Sequence, residues 1–135
     1  MADASISPRP ATVAIVDDDD SIRASLRRLC RMIGLNVTTY ASGPDFLASL
    51  ADGESCPDCL VLDAHMPRMT GSELLQNLRA RSLHVPTIVC TADDTSGMHA
   101  RYAAEGYVAY LEKPVGGDQL IDAIEQALRS RNTAP

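Results

Sequence analysis

Lysine is almost missing from this chain. Eleven of its 12 basic residues are arginine, and Lys113 is the single lysine. A sequence that writes arginine everywhere else points to a chemical demand for lysine at that position. Long apolar runs are also missing. None approaches the roughly 20 residues of a membrane span, and the opening MADASISPRP lacks the charged start and apolar middle of a secretory signal. The protein is expected to be soluble and cytoplasmic, with no membrane partner. Net positive charge is absent as well. Twelve basic residues against 18 acidic ones give −6, which argues against a broad nucleic-acid footprint and for a protein without direct nucleic-acid contact.

Cysteine is present but not in a metal-binding pattern. Cys30 and Cys90 sit inside apolar patterns and read as small core residues. Cys56-Pro57-Asp58-Cys59 is a lone CxxC, compatible with a redox pair or half of a zinc site. No second ligand pair has zinc spacing, and His65, His84 and His99 are scattered. The plainer reading is a loop cysteine followed by one at the start of a buried strand.

With 135 residues and 45% hydrophobic content, the chain suits one domain with its own core. Residues 1–10 read as a loose leader, 11–131 as the domain and 132–135 as a tail, so no output domain is expected within this sequence. Val13-Ala14-Ile15-Val16 is an apolar run of the kind buried on both faces of a parallel sheet. Ile22, Leu26, Leu29, Cys30 and Ile33 then mark one helix face, closed by Gly34. Val37 to Tyr40 is a strand of mixed polarity, suited to a sheet edge. Gly43-Pro44 opens a second helix, and Asp52-Gly53 ends it. Three more pairs follow: a strand from Cys59 stopping at Asp63 and a helix around Leu74, Leu75 and Leu78; a strand from Thr87 stopping at Thr91 and a weaker helix from Met98 to Glu105; and a strand from Tyr107 to Leu111 and a helix around Leu120, Ile121, Ile124, Ala127 and Leu128. Strict alternation of five strands and five helices predicts parallel strands joined by right-handed crossovers, with helices on both faces.

In such doubly wound sheets the working site lies beyond the carboxyl ends of the strands. There the sequence places Asp17 and Asp18, Asp63, Thr91, and Lys113-Pro114. Three carboxylates in one place stay ionised only beside a cation. Oxygen ligands open to water favour Mg²⁺. One carboxylate could then attack phosphorus and form an aspartyl phosphate, with an ammonium and the cation neutralising the transferring group.

These residues carry a resemblance. Val16-Asp17-Asp18, the stretch Asp63-Ala64-His65-Met66-Pro67-Arg68-Met69-Thr70-Gly71, Thr91-Ala92 and Lys113-Pro114 resemble a response regulator receiver of bacterial two-component phosphorelay signalling over about residues 11–131. The closest flavour is the receivers of nitrogen-fixation and nodulation regulators. The resemblance implies a flavodoxin-like (βα)5 domain with a parallel sheet in the order 2-1-3-4-5. It implies Asp63 as phosphoacceptor, and Asp18, Asp17 (largely through water), Asp63 and the His65 carbonyl as ligands of Mg²⁺ or Mn²⁺. Thr91 and Lys113 would assist transfer, Thr91 and Tyr110 would switch, His65 would tune rates, and Lys113-Pro114 would be a cis bond. The implied partner is a sensor histidine kinase. The implied readout is the fourth helix, fifth strand and fifth helix, where Arg101, Tyr102, Tyr110, Glu112 and Asp118 lie, through a homodimer or a protein target. Such a protein is a signalling phosphoacceptor, not a turnover enzyme.

Two departures stand out. The usual lysine–proline–phenylalanine run reads Lys113-Pro114-Val115, and a histidine stands two residues after the acceptor. Asp19 and Asp20 read as helix-start residues, and Asp93 and Asp94 as loop or helix-start residues. The alternatives are a phosphoester hydrolase using an aspartyl intermediate, a receiver-like module that binds without phosphorylation, and a redox module on Cys56 and Cys59.

Overall fold

A computed structural model describes residues 10–51, 56–92 and 98–133. Most of the leader, the Asp52-Gly53 helix stop, Asp93, Asp94 and the last two residues lie outside the described residues, as does the Arg101 side chain. The elements alternate without exception: β1 Thr12–Val16, α1 Asp20–Met32, β2 Asn36–Tyr40, α2 Gly43–Ala51, β3 Cys59–Asp63, α3 Gly71–Ala80, β4 Thr87–Thr91, α4 Met98–Glu105, β5 Ala109–Glu112 and α5 Gly117–Thr133. The five strands form one parallel sheet in the order β2-β1-β3-β4-β5. This is the flavodoxin-like doubly wound arrangement expected above.

The period of two along each central strand sorts its side chains into two cores. Ala14, Val16, Leu60, Leu62 and Val89 face one way, onto Phe46 and Leu47 of α2, Leu74, Leu75 and Leu78 of α3, and Tyr102 of α4. Val13, Ile15, Val61, Ile88 and Cys90 face the other way, onto Cys30 of α1 and Leu120, Ala123, Ile124 and Ala127 of α5. Burying each large apolar side chain contributes about 1.5–3 kcal/mol, so β3 and β4, buried at every position, hold the frame. The more polar β2 lies at one edge, as its composition predicts.

Local chemistry sets the helix starts near the carboxyl edge. Asp19 caps α1, its Oδ1 accepting from the Ile22 N–H at 3.0 Å, and Asp20 pairs with Arg23 in the first turn. Thr70 and Glu73 form a reciprocal capping box at α3, with bonds of 3.1 and 2.9 Å. Gly34 and Gly106 follow α1 and α4 with φ of 89° and 83°, the left-handed conformation that ends helices.

Two expectations need correction. Ile33 does not join the buried stripe of α1 and is 40% exposed. The helix ends at Met32, and Ile33 is its C-cap with φ −98° and ψ 15°, so the turn carries its side chain off the 3.6-residue register. The fifth strand begins at Ala109, two residues later than the apolar run suggests, and Tyr107 precedes it.

Candidate functional site

The sheet register assembles the site. Val16 of β1 pairs with Leu62 of β3, so Asp17 and Asp63 leave adjacent strands side by side. Asp63 pairs with Cys90, which puts Thr91 one residue further along β4. Thr91 pairs with Glu112, so Lys113 leaves β5 next to it, and the Lys113 N–H donates to the Thr91 carbonyl at 2.7 Å. The Lys113–Pro114 peptide bond is cis. Val115, in place of the usual phenylalanine, packs half-buried against the α1/α5 core.

The carboxyl groups of Asp17, Asp18 and Asp63 each offer an oxygen within 4.8 Å of the others. Asp17 and Asp63 are buried, at 2% and 6% exposure, while Asp18 is exposed. Lys113 Nζ lies 2.8 Å from Asp17 Oδ2 and 3.4 Å from Asp63 Oδ1. Asp17 is gripped further: its Oδ1 accepts from the Asp19 N–H at 2.9 Å, and its carbonyl accepts from Arg23 Nη1 at 2.7 Å. Asp63 Oδ1 also accepts from the His65 N–H at 3.2 Å, the local turn that aspartate favours. Both of these polar contacts to the Asp63 carboxyl group therefore fall on one oxygen.

Electrostatics follow from this crowding. Burial, then the charge of Asp17, pushes the Asp63 carboxyl up to about 6, against the opposing pull of Lys113 and the His65 N–H. For Lys113, burial works to lower the ammonium's proton affinity. The hydrogen bond to Asp17 and the charges of Asp63 and Asp17 outweigh it, so the group is held above its ordinary value. One ammonium beside three carboxyl groups leaves an excess of negative charge. Hard oxygen donors in a cluster with one solvent-facing member suit a small divalent cation such as Mg²⁺. The residues present thus fit a metal of that class.

The backbone between β3 and α3 completes the edge. Arg68 sits at φ 71° in a three-residue turn closed by the Met69 N–H on the Pro67 carbonyl at 2.8 Å. His65 is exposed beside it. Gly71, the last residue of the motif, packs so closely that a Cβ there would lie 2.5 Å from the Tyr102 hydroxyl and 2.9 Å from the Asp63 carbonyl.

Tyr110 of β5 is half-buried, its ring centroid 6.2 Å from that of Tyr102 and 5.7 Å from that of Tyr107. Tyr102 lies in α4 as expected, but it faces inward: it is 1% exposed and its hydroxyl donates to the Ala64 carbonyl at 2.9 Å. Sequence reasoning also missed Arg23, whose only signal is its i,i+3 spacing from Asp20, and the His65 N–H, which no side-chain pattern reveals. A cavity of about 440 Å³ lined by His84, Pro86, Thr87 and Val108 opens at the amino ends of β4 and β5, opposite the carboxylates, and takes no part in the site.

Neither cysteine of the CxxC is in a disulfide. Cys59 is the buried first residue of β3, its thiol pushed up to about 12 chiefly by burial, and Cys56 is exposed and free. Cys56→Ser is expected to unfold within about 0.5 kcal/mol of the parent. Thermal melts with and without reductant check this, and a redox-dependent shift in the parent alone would contradict it.

Known proteins resemble this chain in sequence and in fold. A family model described as the response regulator receiver domain matches residues 13–125. The transcriptional regulatory protein FixJ of Rhizobium meliloti is 38% identical over 116 residues, covering 86% of this chain and 56% of that protein. Nodulation protein W of Bradyrhizobium diazoefficiens is 35% identical over 120 residues, covering 87% of this chain and 51% of that protein. The chain thus spans about half the length of these relatives. The crystal structure of FixJ-N superposes with a TM-score of 0.81 at 36% identity, covering 90% of this chain and 96% of that one.

Proposed function

This chain belongs to the response regulator receiver family, and from that membership we propose that it accepts a phosphoryl group from a sensor histidine kinase onto Asp63. The observation that carries the reading is the meeting of Asp17, Asp18, Asp63 and Lys113 at one strand edge. Family members are signalling proteins, and this chain acts as a stoichiometric acceptor rather than a turnover enzyme.

Asp63 Oδ1 is held by the His65 N–H and Lys113. Oδ2 is therefore the oxygen that attacks phosphorus. The new P–O bond forms as the P–N bond to the kinase histidine breaks, and the imidazole leaves with the bonding electrons. Lys113 Nζ neutralises charge on the arriving phosphoryl oxygens. Asp18, Asp17, Asp63 and the His65 carbonyl would hold Mg²⁺ or Mn²⁺, which would supply charge neutralisation. Asp17 has one oxygen on Lys113 and the other on the Asp19 N–H, so both of its oxygens are already engaged. His65, exposed beside the acceptor, tunes how fast the phosphoryl group arrives and leaves.

The product adds charge and strong acceptor oxygens at this edge. Thr91, buried at the end of β4, turns its hydroxyl toward them, and Tyr110 follows within its tyrosine cluster. The α4–β5–α5 face then changes its affinity for a second copy or a protein target. Among the described residues no helix is long and apolar enough to cross a membrane.

Acetyl phosphate with Mg²⁺ provides the test. Intact mass should rise by one phosphoryl group, hydroxylamine should remove it, and the labelled peptide should contain Asp63. A label elsewhere, or none, overturns the reading. Molar mass in solution before and after labelling reports on the α4–β5–α5 face.

A further inference from the structure

Tyr102 reaches the acceptor loop from 38 residues away in the chain. Its hydroxyl donates to the Ala64 carbonyl at 2.9 Å, and the only other backbone donor described near that oxygen, the Gly71 N–H, is at 3.5 Å. The Ala64 carbonyl belongs to the same peptide unit as the His65 N–H. A trans peptide is planar, and its C=O and N–H point in opposite directions. One end of this unit is therefore gripped by Tyr102, while the other donates to Asp63 Oδ1 at 3.2 Å. A hydrogen bond to a carbonyl also polarises its amide and strengthens the N–H on the far side.

Space around the hydroxyl is shaped for it. A Cβ at Gly71 would come within 2.5 Å of the phenol oxygen, so glycine at that position leaves room for the group. The ring is buried against the α2/α3 core and neighbours Tyr110.

We infer that Tyr102 is a positioning residue for phosphotransfer: its hydroxyl fixes the Ala64–His65 peptide and thereby the orientation of the Asp63 carboxylate. Since α4 carries Tyr102, the same bond ties α4 directly to the acceptor loop, a connection separate from Thr91 and Tyr110. The inference rests on Asp63 being the phosphoacceptor.

Tyr102→Phe removes one oxygen and keeps the ring. With acetyl phosphate and Mg²⁺ it should label about three- to thirtyfold more slowly than the parent, the span set by loss of one buried hydrogen bond. Its His65 amide proton should shift and exchange faster, while the Ala64 amide, bonded to the Cys90 carbonyl at 2.8 Å, stays put. 4-Aminophenylalanine at position 102 restores a donor and should recover the rate. Equal labelling by parent and Tyr102→Phe, with an unchanged His65 amide, overturns the inference and leaves the acceptor reading intact. A parent that takes no label at Asp63 removes the acceptor reading instead. Should Tyr102→Phe not fold, the parent still decides: its Tyr102 hydroxyl proton should resist exchange with solvent, and a freely exchanging one overturns the assignment.

Discussion

Asp63→Asn is expected to take no phosphoryl label and, without divalent cations, to be more stable than the parent at pH 7.5. The first half follows from replacing the nucleophilic oxygen by an amide. The second follows from crowding. In the folded protein the Asp63 carboxyl titrates at about 6 against an ordinary 3.8, because burial and Asp17 disfavour its charge. A raised carboxyl contributes stability that is fully present below about 3.8 and is lost as pH rises through about 6. At pH 7.5 the metal-free parent therefore carries an ionised group that the fold disfavours, whereas asparagine stays neutral. A difference of roughly two units corresponds to about 3 kcal/mol, and about 1–3 kcal/mol is expected once hydrogen bonds readjust. Urea unfolding in chelator at pH 4 and pH 7.5 measures this, and the gap between parent and variant should widen with pH. Adding Mg²⁺ should stabilise the parent by mass action and the variant much less. A variant that labels like the parent removes Asp63 from its role. A variant less stable than the parent in chelator shows that the carboxylate is not under strain.

Gly71→Ala is the second large effect, and its sign is diagnostic. At an ordinary helical position this change stabilises by up to about 1 kcal/mol. Here the added Cβ would meet the Tyr102 hydroxyl at 2.5 Å, the Asp63 carbonyl at 2.9 Å and Leu62 Cγ at 3.2 Å. The phenol is buried and hydrogen-bonded, and the Asp63 carbonyl is strand backbone, so neither yields readily. Destabilisation of about 1–3 kcal/mol is expected, with slower labelling because the acceptor's own backbone is displaced. Combining it with Tyr102→Phe should recover part of the loss, since the Asp63 carbonyl still stands in the way. Denaturant midpoints of the two single variants and the double variant measure this. A Gly71→Ala protein as stable as the parent contradicts the packing described.

The fold was legible because its signals are strong and local. Val13 to Val16, Cys59 to Leu62 and Thr87 to Cys90 are apolar runs too short for helices, and all three are buried strands. The acidic pair and Asp63 were legible because each directly follows such a run, Lys113 because it is the single lysine and stands just past the fifth strand, and parallel register brings strand ends together. What was not legible depends on tertiary packing. MHARYAAE offers no clean apolar stripe, so nothing in it says that Tyr102 turns inward. The end of α1 rests on one residue's dihedral angles, which left Ile33 misplaced. The grip of the Ala64–His65 peptide on Asp63 is a backbone matter, invisible to any reading of side-chain types.

Lys113 meets Asp17 across 96 positions of the chain. The loop this ion pair closes embraces most of the domain, and β3 and β4, which lie between β1 and β5 in the sheet, must dock for the two groups to meet. Such high contact order makes the pairing a late event in folding. A half-folded chain therefore owns no partial version of the acidic centre. During refolding from denaturant, cation affinity should emerge together with the native topology, at the rate of its slowest docking step.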